Sequence, residues 1–409
     1  VREGWKEITL DRACTIITGL WKGKKPPFVN VGVIRNTNFS VDAQIDRSDI
    51  ASINVEQNKF NKRRLLFGDI IVEKSGGGPK QPVGRVALFD MRDGLFSLSN
   101  FTAALRVKTP SELDFRFLHK FLHFAYLSGV TEHMQSHSTG IRNLNSKAYK
   151  AITIPLPPLP EQQRIVAILD EAFEGIAKAK ANAEQNLKNA RELFESHLQM
   201  VFSQRGEGWT ETNIASEVDL LAGFAFKSSQ YTESTDSIRL LRGDNIIPGS
   251  IRWDDVKFWS ASDTADYERY QLKVDDVVLA MDRPWIKDGL KRALIADKDI
   301  PCLQVQRTAR LRSNGHIHKH FLYYLISSRA FIKHILGSQT GIGVPHISGK
   351  QIGNFKFSMP KFDEQKHIVK QLHNFHSAIQ RLESIYQRKI AALDELKKSL
   401  LHKAFSGEL

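Results

Sequence analysis

Apolar residues recur every seven positions along two long stretches of the chain. Leu169, Ile176, Ala183, Ala190 and His197 form one ladder, flanked by Ile165, Ala172, Leu187, Phe194 and Val201. Leu372, Ile379, Tyr386, Leu393 and Leu400 form a second, each 203 residues beyond its counterpart. Charged and polar residues fill the other faces, so the spacing predicts coiled-coil-like helices and not membrane spans. Pro157, Pro158 and Pro160 mark where the first helix begins, and Glu161 falls in its first turn, where an acid complements the helix dipole. The joint recurs too. LPPLPEQQRIVAIL is echoed by MPKFDEQKHIVKQL (Met359 to Leu372), and Phe202-Ser203 by Phe405-Ser406.

Ahead of each helix the pattern changes to short apolar runs of strand type. Thr15 to Thr18, Val29 to Ile34, Asp69 to Val72, Val83 to Phe89 and Ala103 to Val107 precede a helical pattern over Asp114 to Leu127. In the second half, Ile238 to Leu241, Asp276 to Ala280 and Ala293 to Ala296 read as strands and His320 to Leu336 as one helix. Gly4-Trp5 and Gly208-Trp209 open the two halves. Ile34-Arg35-Asn36-Thr37-Asn38 matches Leu241-Arg242-Gly243-Asp244-Asn245, and Thr139-Gly140-Ile141 matches Thr340-Gly341-Ile342. The chain is therefore a duplicated unit: a mixed α and β globular part, a proline-marked joint and a long helix, twice over. The boundaries read as 1–157 and 206–360 for the globular parts, and 158–205 and 361–409 for the helices. Between the shared markers the loops differ, which suggests two sites of one kind that read different things.

Composition narrows the partner. The 409 residues exceed one ordinary core, and the formal charge of +13 sits mainly on the first globular part while the first helix is near neutral. Such a distribution points to nucleic acid. The two cysteines, Cys14 and Cys302, form no framework, which predicts a reducing, cytoplasmic setting. No run of about 18 apolar residues predicts a membrane span, and VREGWKEITL does not read as a signal peptide.

No catalytic constellation emerges. Pro26-Pro27-Phe28 approximates an amino-methyltransferase motif, but Lys25 stands where an Asp, Asn or Ser belongs. Gly76-Gly77-Gly78-Pro79-Lys80 lacks the frame of a phosphate-binding loop. Asp244 with Asp255 and Lys257 has a spacing tolerable for a metal nuclease but no counterpart in the first half, and His316, His318 and His320 have no cysteine nearby. Recognition remains. Lys22, Lys24, Lys25, Lys74, Ser75, Lys80 and Lys227 lie on basic or flexible stretches suited to phosphates. Arg35, Asn38, Arg142, Asn143, Arg242 and Asn245 offer guanidinium and amide groups for guanine and adenine edges, and Arg283, Trp285 and Lys287 add cations and an aromatic on one loop. On the helices, Ile168, Phe173, Phe375 and Tyr386 are more apolar than a two-helix seam requires and are candidates for partner docking.

The whole chain resembles the specificity subunits of type I restriction-modification systems. The resemblance rests on IPLPPLPEQQRIV and FSMPKFDEQKHIV, the closing KAFSGEL, the Gly-Asp-Ile-Ile run at Gly68 and the Arg-x-x-Asn pairs at Arg35 and Arg242. It departs mildly at Asp275, which replaces a glycine, and at Lys361-Phe362. The resemblance implies an α+β fold: two target-recognition domains separated by two long helices packed as an antiparallel coiled coil, in an internal pseudo-two-fold repeat. It implies a non-catalytic subunit that reads a bipartite site in double-stranded DNA. Two modification subunits would bring S-adenosylmethionine and adenine N6 methylation, and two restriction subunits ATP and Mg; this chain would need no cofactor. Helices of about 43 residues span about 65 Å at 1.5 Å per residue, near two turns of DNA. The alternatives are a coiled-coil scaffold that binds DNA without reading it, and a stand-alone metal-dependent nuclease.

Overall fold

The computed structural model describes residues 4–78, 81–138, 141–204, 206–234, 236–337 and 346–409. Two compact units emerge: Val1–Glu184 with Arg388–Leu409, and Gln185–Gln387. Packing therefore divides the chain differently from the sequence pattern. Each long helix (Leu159–Ser203 and Phe362–Ser406) contributes one end to each unit, because its apolar ladder finds partners in both.

The first unit is closed by its own ends, with strand Lys6–Thr9 lying antiparallel to Thr153–Leu156. Its central sheet has four antiparallel strands in the order Cys14–Thr18, Thr102–Val107, Ile70–Glu73 and Val86–Leu88. Side chains alternate across a strand, and here both faces are covered, which is why Ile-Ile-Val and Ala-Ala-Leu read as unbroken apolar runs. Ile70, Val72 and Leu105 face a core with Phe117, Leu118 and the helix residues Ile165 and Leu169. Ile71, Ala87 and Ala104 face a second core with Ile34, Phe89 and Leu98. A three-stranded sheet (Ala51–Glu56, Phe28–Ile34, Phe96–Leu98) lies beyond it. Helix Phe115–Leu127 starts at Asp114, whose carboxylate accepts from the Arg116 and Phe117 amides.

Within this unit the two long helices run antiparallel. Lys180 pairs with Asp394 at 2.7 Å, and Arg164 donates to the Leu409 carbonyl at 2.6 Å. Phe405 packs its ring against Phe117, Phe121 and Phe124 at 5.3–5.5 Å between centroids. Such contacts contribute about 0.5–1.5 kcal/mol each beyond area burial.

The second unit repeats the plan. Thr210–Asn213 pairs with Lys356–Met359, and the central sheet runs Val218–Ala222, Thr308–Ser313, Val277–Ala280, Arg292–Leu294. Val277 and Leu279 face one core while Val278 and Ala280 face another. Its helix segments are antiparallel as well: Arg191 pairs with Glu383 at 2.8 Å, and Phe194 stacks on His376 at 4.8 Å. One expectation fails here. The single helix read over His320 to Leu336 is two, Lys319–Leu325 and Arg329–Leu336. Ser327 turns its hydroxyl back onto the Tyr323 carbonyl, and buried Ser328 caps the second helix by accepting from Phe331 N–H.

Two devices recur in both units and explain residues that mark the repeat. The glutamine of the Glu-Gln pair is fully buried in each. Gln162 accepts from the Asp114 amide at 2.8 Å and donates to the carbonyls of Glu112 and Pro157, both at 2.8 Å. Gln365 accepts from the His318 amide at 2.7 Å and donates to the carbonyls of His316 and Pro360 at 3.2 and 2.9 Å. Each latches the start of a long helix to the start of the helix beneath it. The second device is a buried carboxylate: Asp69 takes Arg106 in a two-bond pair and caps the Leu66 amide, and Asp276 does the same with Arg312 and the Lys273 amide. The preceding residue is left-handed in both cases, Gly68 at φ 90° and Asp275 at φ 74°. Asp is among the few side chains that tolerate that region, so the departure from glycine keeps the turn.

Candidate functional site

In the first unit, two loop clusters carry the sequence-predicted cations. Lys22, Lys24 and Lys25 are exposed on one loop, held down where Glu56 accepts from the Lys25 amide at 3.3 Å and its own amide donates to the Lys22 carbonyl at 2.9 Å. Trp21 and Phe28, 65% and 48% exposed, flank those lysines. Sequence reasoning passed over Trp21 and weighed Phe28 only within the Pro26-Pro27-Phe28 run, although their alternation with lysines was visible.

The second cluster is assembled from distant segments. Strand Ile141–Leu144 pairs with Ser75–Gly77 on one side and Gln135–Ser138 on the other. This brings Ser75 to Asn143, hydroxyl to amide oxygen at 2.6 Å, and sets Lys74 and Arg142 nearby. Neither cation has a hydrogen bond or ion pair from its side chain among the described residues, and burial pulls the Lys74 ammonium below its ordinary pKa. Lys80 lies outside the described residues, as do Thr139, Gly140 and the Thr340-Gly341-Ile342 counterpart.

Beside this sheet opens a pocket of about 390 Å³ lined by Asn36, Thr37, Glu73, Gln81, Arg85 and the run Gly76–Gly78. Glu73 is 1% exposed and holds Arg85 at 2.8 Å and the Asn36 amide at 3.0 Å. Arg85 also donates to the Asn36 carbonyl at 3.1 Å and lies over the Phe39 ring. The glycines keep the wall thin: a Cβ on Gly77 would sit 2.6 Å from the Gln81 carbonyl, and Gly76 has φ 102°.

In the second unit, Lys227 is exposed at the start of a short turn. Arg283 (φ 44°), Trp285 and Lys287 are exposed together around a hairpin that pairs Trp285 with Leu290. Below it, Asp282 pairs with both Arg307 and His346 at 2.5 Å.

Four predicted base readers have other work. Asn38 and Asn245 are each 2% exposed. Asn38 accepts from the Arg35 amide and donates to the carbonyls of Asp46 and Asp49. Asn245 accepts from the Arg242 amide and donates to those of Arg252 and Asp255. Arg35 clamps Asp49, and Arg242 clamps Asp255, each at 2.9 Å and with a second bond to the same residue's carbonyl. The Arg-x-x-Asn pair is thus a loop staple repeated in both units, and its amide faces no solvent. Asp255, offered as a nuclease ligand, is held below the usual carboxylate range by Arg242 and then Lys257, and serves the same staple. No group of three His, Cys, Asp or Glu among the described residues could hold a metal.

Two docking candidates on the helices are also engaged internally. The Phe173 ring lies under the ammoniums of both Lys120 and Lys397, each 5.0 Å away. Phe375 packs on His197 at 4.6 Å and Phe194 at 6.1 Å. Ile168 and Tyr386 are half-buried on the helix surfaces.

Comparison with known proteins gives this arrangement a family. A model described as type I restriction modification DNA specificity domain matches residues 2–188 and again 207–389. The chain belongs to that family. Among curated relatives, the type I restriction enzyme MjaVIII specificity subunit of Methanocaldococcus jannaschii is 30% identical over 289 residues, 67% of this chain and 66% of the relative. The EcoAI specificity subunit of Escherichia coli is 35% identical over 180 residues, 44% of this chain and 30% of the relative. The chain thus spans less than two thirds of the length of these two relatives. A solved chain from work on assembly and conformational transition of the type I R-M system shares the fold, with a TM-score of 0.80 at 18% identity over 100% of this chain and 99% of its own. Two specificity domains with long helices packed antiparallel are the family's fold, as the resemblance implied.

Proposed function

We propose that the chain is the DNA-specificity subunit of a type I restriction-modification complex, without catalysis of its own. Each domain reads one half of a bipartite, asymmetric site in double-stranded DNA. The reading is carried by one observation: two units share their sheets, glutamine latch, buried aspartate and Arg-Asn staple, yet differ in the loops that carry free cations and exposed aromatics. A common frame with divergent loops suits two readers of different sequences. Lys22, Lys24, Lys25, Lys74, Arg142, Lys227, Arg283 and Lys287 meet phosphates and groove edges, with Ser75, Asn143 and Trp285 beside them. Modification subunits supply S-adenosylmethionine and adenine N6 methylation, and restriction subunits supply the ATP- and Mg-dependent steps. Ile168 and Tyr386 remain surfaces for those partners.

The test is genome-wide mapping of N6-methyladenine in cells expressing the chain with its modification subunit, with and without residues 206–360 exchanged for those of a relative. A split motif whose second half alone changes is the expected result. An unchanged motif would place specificity in another protein.

A further inference from the structure

The central sheets of the two units match by register. Ile70 lies opposite Leu88 in one, and Val277 opposite Leu294 in the other. Three residues further along, the Glu73 amide donates to the Arg85 carbonyl and the Ala280 amide to the Lys291 carbonyl, at 2.8 and 2.9 Å. Arg85 and Lys291 therefore occupy one position of the fold, and Glu73 and Ala280 the position facing it.

The two cations differ in what they meet. Arg85 has the Glu73 carboxylate, the Asn36 carbonyl and the Phe39 ring. Lys291 has alanine where Glu73 would be. It is 7% exposed, and its ammonium makes no hydrogen bond or ion pair among the described residues. Burial lowers its pKa; Asp244 and Asp282 favour its charge only through space, opposed by Arg283 and Arg252. The stem is buried while the ammonium is not among the buried atoms that lack a partner, so it stands as a donor within reach of solvent and open to a ligand.

The surroundings indicate which ligand. The Lys291 amide donates to the Pro284 carbonyl at 2.7 Å, closing the root of the Trp285–Leu290 hairpin. Trp285 is 46% exposed and Lys287 is exposed on the same hairpin, while in the first unit Gly78 and Gln81 pair with each other through two backbone hydrogen bonds in the corresponding stretch, with no exposed aromatic among its described residues. A cationic, aromatic hairpin standing over a lysine whose ammonium has no acceptor among the described residues has the form of a groove probe with an unfilled donor at its base.

We propose that Lys291 is a DNA-contacting residue of the second domain, donating from the hairpin root to an acceptor atom of DNA, either guanine O6 or N7 or a phosphate oxygen. This rests on the DNA-reading function proposed above.

The test uses the complex with its modification subunits, carrying Lys291→Met or Lys291→Arg. Three quantities are read: the N6-methyladenine motif, the salt dependence of binding to duplexes with and without the second half-site, and the melting midpoint. Lys291→Met should melt no lower than wild type, since it fills the buried place of the lysine stem and breaks no side-chain hydrogen bond. It should bind its own site about tenfold more weakly, and a base acceptor would relax one position of the second half-site only. An even loss over all duplexes, with the salt slope reduced by about 1, identifies a phosphate acceptor. Lys291→Arg keeps a cation that the other unit carries at this position, so it should fold and lose less affinity than Lys291→Met. Unchanged motif and affinity in Lys291→Met overturn the proposal, as do equal losses in the two variants, which would mean packing and not charge. A wild-type complex without a bipartite motif refutes the DNA-reading function itself, and this inference with it.

Discussion

Replacing Gln162 by alanine should destabilise the first unit by about 2–4 kcal/mol, although the residue touches no predicted ligand. The side chain is fully buried and makes three hydrogen bonds of 2.8 Å, all to backbone groups. Losing them orphans the Asp114 amide and the carbonyls of Glu112 and Pro157. A buried group left unsatisfied costs about 1–3 kcal/mol. Glu112 is exposed and Asp114 half-exposed, so water recovers part of that loss and the sum stays below the simple total. Urea unfolding combined with amide exchange measures it. The Asp114 amide should lose protection first, followed by the opening turn of the helix it precedes. Gln365→Ala should cost a similar amount and expose the His318 amide, whose bond it holds at 2.7 Å. Gln163→Ala, one residue along on an exposed face, should stay within about 0.5 kcal/mol of wild type. A Gln162→Ala protein as stable as Gln163→Ala would show that the latch is ornament to a joint already fixed by apolar packing.

Asn38→Ala and Asn245→Ala should each lower stability by about 2–3 kcal/mol, from three lost bonds at buried amides, and leave the methylation motif of folded complexes unaltered; a relaxed motif would restore them as base readers. Acid should loosen the first unit. Burial, and then the facing His123, takes His119 down to about 3; burial, and then Lys397, takes His123 down to about 4, with Lys120 also opposing both charges and Asp42 favouring that of His123. The unfolded chain takes up these protons near pH 6.5 and the folded unit does not. Stability is therefore full above that pH and falls towards pH 4, by up to about 1.4 kcal/mol per pH unit for each histidine. A His119→Gln, His123→Gln double variant should flatten that slope in urea titrations across pH 4–7, and an unchanged slope refutes the assignment.

Much of the fold was legible because its signals are periodic. The heptad ladders at Leu169 and Leu372 and the proline joints located both long helices, and unbroken apolar runs located the central strands. The split of His320 to Leu336 was not legible, because Ser327 and Ser328 interrupt the helix by hydrogen bonding and not by breaking the apolar period. The candidate site was less accessible for a related reason. Arg35, Asn38, Arg242 and Asn245 are residue types suited to base edges, but they also make good loop staples, and only burial separates the two uses. Lys74 and Arg142 meet through strand pairing across distant segments, which spacing does not reveal. Lys291 carries no motif at all; its meaning comes from Ala280 across the sheet.

The first unit draws Leu401, Ala404 and Phe405 into the same core as Leu10, Phe117 and Leu169. During synthesis, all of Gln185–Gln387 is made before those three residues exist. The second unit has no such wait, since its own core closes with Leu372. Domains usually complete themselves in the order they are made. Here the domain made first is finished last, so its half-built core stands open, with Phe117 and Phe121 unshielded by Phe405, throughout translation of the other.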